Sequence, residues 1–113
     1  NQAAVRHARR LIEAGDYVFD SDWSERQPSA EKENAFVERH GWTAYGEWYL
    51  AEDTSENEAT KGRYKFPYGD FKQVHRDGVI AAKQRAAQYD YAEIERAADE
   101  LLQLIDQKEG RES

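Results

Sequence analysis

One pattern near the end of the chain limits the possible folds more than any other. In 90-DYAEIERAADELLQLID-106, Ile94, Ala97, Ala98, Leu101 and Ile105 recur at three- and four-residue spacing. This places a continuous apolar stripe on one side of a helix. A stripe of that kind has to be covered, so the rest of the chain must build a core against it. Asp90 and Glu93 have the spacing of a capping box and predict where the helix starts. The polar residues 107–113 that follow predict a frayed tail, with the globular domain spanning 1–106.

The covering elements can be read in turn. Residues 2–14 predict a helix with Ala4, Val5, Ala8, Leu11 and Ile12 on its apolar side, closed by Gly15. Residues 16–23 predict an extended segment anchored by Val18 or Phe19 and by Trp23. Ser29 predicts an N-cap for a helix over 30–40, with Phe36 and Val37 inward and Gly41 at its end. The run 42-WTAYGEWYLAED-53 fits helical spacing, but its β-formers and Gly46 favour a strand over 45–51. Residues 52–60 read as an acidic loop. A second strand over 63–66 stops at the turn Pro67-Tyr68-Gly69. Asp77 predicts the N-cap of a helix over 79–88, lined by Val79, Ala82, Ala86 and Tyr89. The expected fold is α+β and helix-dominated, with about four helices packed on a small two- or three-stranded antiparallel sheet.

The 113-residue length suits one domain. The chain has no Cys, which excludes disulfides, thiolate metal sites and Cys nucleophiles. It also has no Met, which predicts that residue 1 was exposed by cleavage or that the sequence is a piece of a longer chain. No apolar run approaches the roughly 20 residues needed to cross a bilayer, and no signal-peptide pattern opens the chain. A cytoplasmic protein without membrane contact is expected.

Charge is unevenly spread. Residues 61–85 hold seven Lys/Arg and two Asp, whereas the other 88 residues hold nine Lys/Arg and 21 Asp/Glu. The basic strip 61-KGRYKFPYGDFKQVHR-76 lies inside a chain of net charge −7. Lys61, Arg63 and Lys65 alternate, so a strand would project them from one face, with Lys72, His75 and Arg76 extending the row. Such a row could contact phosphates while Tyr68 or Phe71 stacks on a base. The plain alternative is a solvated strand face that discourages edge pairing, and the overall negative charge favours it.

Other chemistry finds little support. No phosphate-loop or dinucleotide fingerprint occurs, so no cofactor is expected. His7, His40 and His75 lack metal-ligand spacing. The acids Glu52, Asp53, Glu56 and Glu58 lack the spacing of a calcium loop. His75 is the one candidate general base, and it reads as a cap-region or surface residue with no identifiable partner. The aromatic set Trp23, Trp42, Tyr45, Trp48, Tyr49, Tyr64, Phe66, Tyr68 and Phe71 is large for one domain. Most of it should form core. Trp42, Trp48, Tyr68 and Phe71 are the candidates for a partner surface, including that of a homodimer.

The segments SDWS (21–24), GWTAYGEWYLAED (41–53), TKGRYKFPYGDF (60–71), VHRDGVIAAKQRAAQ (74–88) and IERAADELLQLID (94–106) carry a resemblance. Together they resemble a small bacterial and phage domain, found alone or attached to phage prohead-protease and head-morphogenesis proteins. The resemblance spans Ala4 to Asp106. It implies an accessory module and brings no catalytic residues with it. Protein interaction is the expected function. The alternatives are nucleic-acid binding by the strip or, third, an enzyme built around His75.

Overall fold

The computed structural model describes residues 1–110. Its elements in order are α1 (Gln2–Glu13), β1 (Tyr17–Val18), α2 (Trp23–Arg26), α3 (Ala30–Gly46), β2 (Tyr49–Glu52), β3 (Tyr64–Pro67), β4 (Val74–His75), α4 (Arg76–Gln88) and α5 (Ala92–Lys108). The fold is α+β and helix-dominated, as expected. β2 and β3 pair antiparallel, with Tyr49 opposite Pro67 and Ala51 opposite Lys65. A second pairing was not foreseen: β1 and β4 lie parallel, with Tyr17 opposite Val74.

The stripe on α5 finds its cover. Ala98, Leu101 and Ile105 are buried against Ala4, Ala8 and Ile12 of α1, Val79, Ala82 and Ala86 of α4, and the β2 segment Tyr49–Ala51. Small alanines on all three helices let the backbones approach closely. Trp48 and Tyr68 stack at 5.6 Å within this core. The Tyr68 hydroxyl donates to the Glu47 carbonyl at 2.7 Å, which leaves its oxygen to accept from His7 Nδ1 at 2.9 Å. Gly69 allows this packing: a Cβ there would lie 2.6 Å from both the Gln73 carbonyl and the Trp48 ring.

Several expectations need correcting. Gly41 does end a run of helix, at φ 86, but helical structure resumes over 42–46, so β2 is confined to 49–52. Phe36 and Val37 are half-buried. Trp23 opens the short helix α2 rather than an extended segment. His75, not Asp77, is the N-cap of α4, and Asp77 instead accepts from the Ser21 backbone at 3.4 Å. Asp90 is not the N-cap of α5. It sits at φ 60 just past the end of α4, where the Tyr91 N–H reaches Ala86 O at 2.8 Å and the Asp90 N–H reaches Ala87 O at 3.2 Å. That double bond pattern is a Schellman ending, with Asp in the place usually held by Gly. α5 runs to Lys108, and Glu109 accepts from the Tyr17 hydroxyl at 2.7 Å. Of the predicted tail, 111–113 lie outside the described residues. Among the described residues, no helix is long and apolar enough to cross a membrane.

Candidate functional site

The basic strip does not form one face. Lys61, Gly62 and Arg63 make a 3-10 turn before β3 begins, so Lys61, Arg63 and Lys65 do not alternate along a strand. Most of its charges are also neutralised within the chain. Lys61 Nζ lies 3.5 Å from Glu33 Oε1. Arg63 bonds Glu52 at 3.2 Å and the Glu56 carbonyl at 2.9 Å. Arg76 bonds Asp106 at 2.9 Å and lies 5.0 Å over the Phe19 ring. Glu33 also accepts the Tyr45 hydroxyl at 3.1 Å and the Tyr49 hydroxyl at 2.6 Å. Burial, with these bonds to the carboxylate, pushes the Tyr49 hydroxyl far above the ordinary tyrosine range.

His75 is not a surface residue. It is 2% exposed and bonded on both sides, with Asp70 Oδ2 at 2.9 Å from Nε2 and Ser21 Oγ at 2.9 Å from Nδ1. Burial raises the Asp70 carboxyl, but bonds from His75 and from the Gln73 and Lys72 backbone outweigh it and hold the group below its ordinary value. The ionised carboxylate only accepts, so Nε2–H donates to it. In the neutral ring, Nδ1 then accepts from the Ser21 hydroxyl. The Trp23 ring packs at 5.4 Å. With both nitrogens occupied, this trio fastens the 70–73 turn and β4 to the segment entering α2. Nothing in the sequence joins Ser21 to partners about fifty residues away.

The candidate partner aromatics also change place. Trp48 and Tyr68 are core, at 5% and 0% exposure. Trp42 is half-buried between Tyr45 and Tyr64. Phe71 is half-buried and stacks on Phe36 at 4.5 Å. The large apolar side chains left exposed among the described residues are Tyr89 (53%) and Tyr91 (46%). The Schellman ending sets these two rings side by side, 6.2 Å apart and inclined by 29°. Phe66 backs them, at 6.3 Å from Tyr89 and 6.1 Å from Tyr91. Lys65 and Arg85 flank them, and the five residues line an open groove of about 380 Å³.

A second groove, of about 580 Å³, opens on the side of α3. Arg26 of α2, Lys32 and Arg39 of α3 and Lys72 of the 70–73 turn line it. All four are exposed, and among the described residues none enters a salt bridge. Lys32, Phe36, Arg39 and His40 share one row of α3 because they fall one and two helical turns apart. Phe71, Phe36 and His40 form a run of rings spaced 4.5 Å and 4.6 Å. Among the described residues Asp70 is the one acid on the lining, and its carboxylate is already occupied by His75 and two backbone N–H groups.

Backbone strain gathers at these two places. Among the described residues, the non-glycine positions with positive φ are Phe66 (68°), Phe71 (69°) and Asp90 (60°). Two belong to the tyrosine face and one to the α3 groove. A bulky aromatic in that region costs on the order of 1–3 kcal/mol, which its surroundings must offset. No group of three or more His, Asp or Glu among the described residues is placed to hold a metal ion. Compared with known families, curated proteins and solved structures, the chain finds no match.

Proposed function

We propose that the protein is a non-enzymatic interaction module that binds a partner protein through the Tyr89–Tyr91 face. The observation that carries this reading is the exposure of these two tyrosines in a chain whose other large apolar side chains are buried or half-buried. Stacked tyrosines offer a large, stiff contact area at little entropic cost, which suits an interface hot spot. Lys65 and Arg85 flank the rings, and among the described residues no acid lines the groove. Charge complementarity therefore selects an acidic segment carrying one apolar anchor. Arg85 lies 5.9 Å over the Tyr89 ring, which holds the cation beside the anchor site. An accessory module, as the resemblance to phage-associated domains implies, would use such a face to join a larger assembly.

A random-peptide display library selected on the wild type and counter-selected on Tyr89→Ser/Tyr91→Ser tests this. Recovered peptides should place Asp or Glu beside a single Leu, Phe or Trp. A selection that yields no tyrosine-dependent peptides would remove the reading. A wild-type dimer that dissolves in the double variant would assign the face to a second copy of the chain instead.

A further inference from the structure

We infer that the groove on α3 is a single-stranded nucleic-acid site, separate from the tyrosine face and independent of what that face binds. Four Lys/Arg side chains from three separate segments converge on one opening of about 580 Å³ in a chain of net charge −7. Among the described residues none of these four enters a salt bridge, which leaves them available to an anion from outside the chain. Lys61, Arg63 and Arg76, by contrast, are paired with Glu33, Glu52 and Asp106. Arg26 and Arg39 supply planar guanidinium forks that match phosphate geometry, and Lys32 and Lys72 supply mobile point charges.

The rings make the choice among anions. Phe71 stacks on Phe36, and Phe36 meets the exposed His40 ring at 4.6 Å, inclined by 41°. A base laid on His40 would extend this run of rings while its phosphates reach the flanking cations. That pairing of ring platform with cationic rim is how strands without fixed sequence are held. A duplex hides the faces of its bases and presents a convex surface, so it fits this concavity poorly. An acidic peptide would satisfy the cations and leave the ring series unused. Phe71 is held at φ 69 at the bottom of this groove, so the turn maintains a strained conformation where the ring series needs it.

The cations of this groove are scattered along the sequence. Lys72 also belongs to the basic strip, while the other three come from residues that the linear charge count places in the acidic part of the chain. The signal was present as Lys32, Phe36, Arg39 and His40 on one helical row, with Glu31 and Glu38 off it.

Fluorescence anisotropy with a labelled single-stranded 8-mer tests the inference, run on the wild type, Arg39→Gln/Lys72→Gln and Lys61→Ala/Arg63→Ala. Circular dichroism confirms that each variant is folded. Four phosphate contacts predict a log–log salt slope near −2.8, or about a fiftyfold loss of affinity between 50 and 200 mM salt. The groove variant should lose at least tenfold in affinity and the strip variant should bind as the wild type does. His40→Ala, which keeps every Lys and Arg, should also weaken binding several-fold. No binding at 50 mM salt would overturn the inference, and so would equal loss in the strip variant. A duplex of the same sequence binding as tightly would overturn it as well. Equal binding of poly-glutamate would reduce the groove to a general anion trap, and equal binding of a mononucleotide would assign it to a free nucleotide; either result would refute a strand site.

Discussion

The tyrosine face and the α3 groove use the same materials in opposite proportions. At the first, two rings stand exposed and two cations flank them. At the second, four Lys/Arg side chains stand exposed and the two phenylalanines lie half-buried beneath them. Each is backed by a phenylalanine in a left-handed backbone conformation, Phe66 in one and Phe71 in the other. The difference teaches that the two surfaces are told apart by the fraction of ring left in water, rather than by the presence of rings and cations, and the two proposals rest on that contrast. A third region sharpens the lesson. The 61–63 turn holds two Lys/Arg, as many as the tyrosine face, yet they are paired with Glu33 and Glu52.

The largest effect is expected where that third region is anchored. Glu33→Ala removes the acceptor of two tyrosine hydroxyls and the partner of Lys61. Leaving those hydroxyls unmet should cost about 1–3 kcal/mol, read as a lower urea midpoint. A variant as stable as the wild type would show that Glu33 is not holding the strip closed.

A smaller effect should appear at the joint between the groove and the core. The folded protein holds Asp70 below its ordinary value of 3.8, so its contribution to stability is fully present above about pH 4 and is lost as pH falls through the lowered folded value. Urea midpoints measured from pH 6 to pH 3 should therefore fall more steeply in the wild type than in Asp70→Asn. Parallel profiles would mean that the bonds from His75 and the 70–73 backbone do not stabilise the charged form.

The smallest effects on stability belong to the two surfaces themselves. Tyr89→Ser/Tyr91→Ser and Arg39→Gln/Lys72→Gln change exposed side chains outside the core and should stay within about 0.5 kcal/mol of the wild type. Relief of cation–cation repulsion should leave the second variant no less stable than the first. A loss of several kcal/mol in either would make that surface a structural element.

Much of the fold was legible because α1 and α5 carry long apolar periodicity, which packing preserves. Trp42 and Tyr45 are ambiguous because aromatics favour strands by propensity, while here they continue α3, with Trp42 stacked on Tyr64 and Tyr45 edge-on to it. Asp90 followed by Glu93 looked like a start signal, but the same Asp tolerates a left-handed helix ending, and that use won. The candidate surfaces were less legible. Lys65 and Lys72 were singled out, but only the fold shows that one joins Tyr89 and Tyr91 while the other joins Arg26 and Arg39. Trp48 and Tyr68 could not be told from surface aromatics until the close approach at Gly69 placed them inside.

A single titration reads both surfaces at once. Amide chemical shifts of the labelled protein would be followed as an unlabelled single-stranded 8-mer is added at 50 mM salt. The account predicts shifts confined to residues 26, 32–40 and 70–72, with 65, 85 and 89–91 unchanged. Shifts centred on Tyr89 and Tyr91, or spread evenly over 61–76, would contradict the division between the two surfaces.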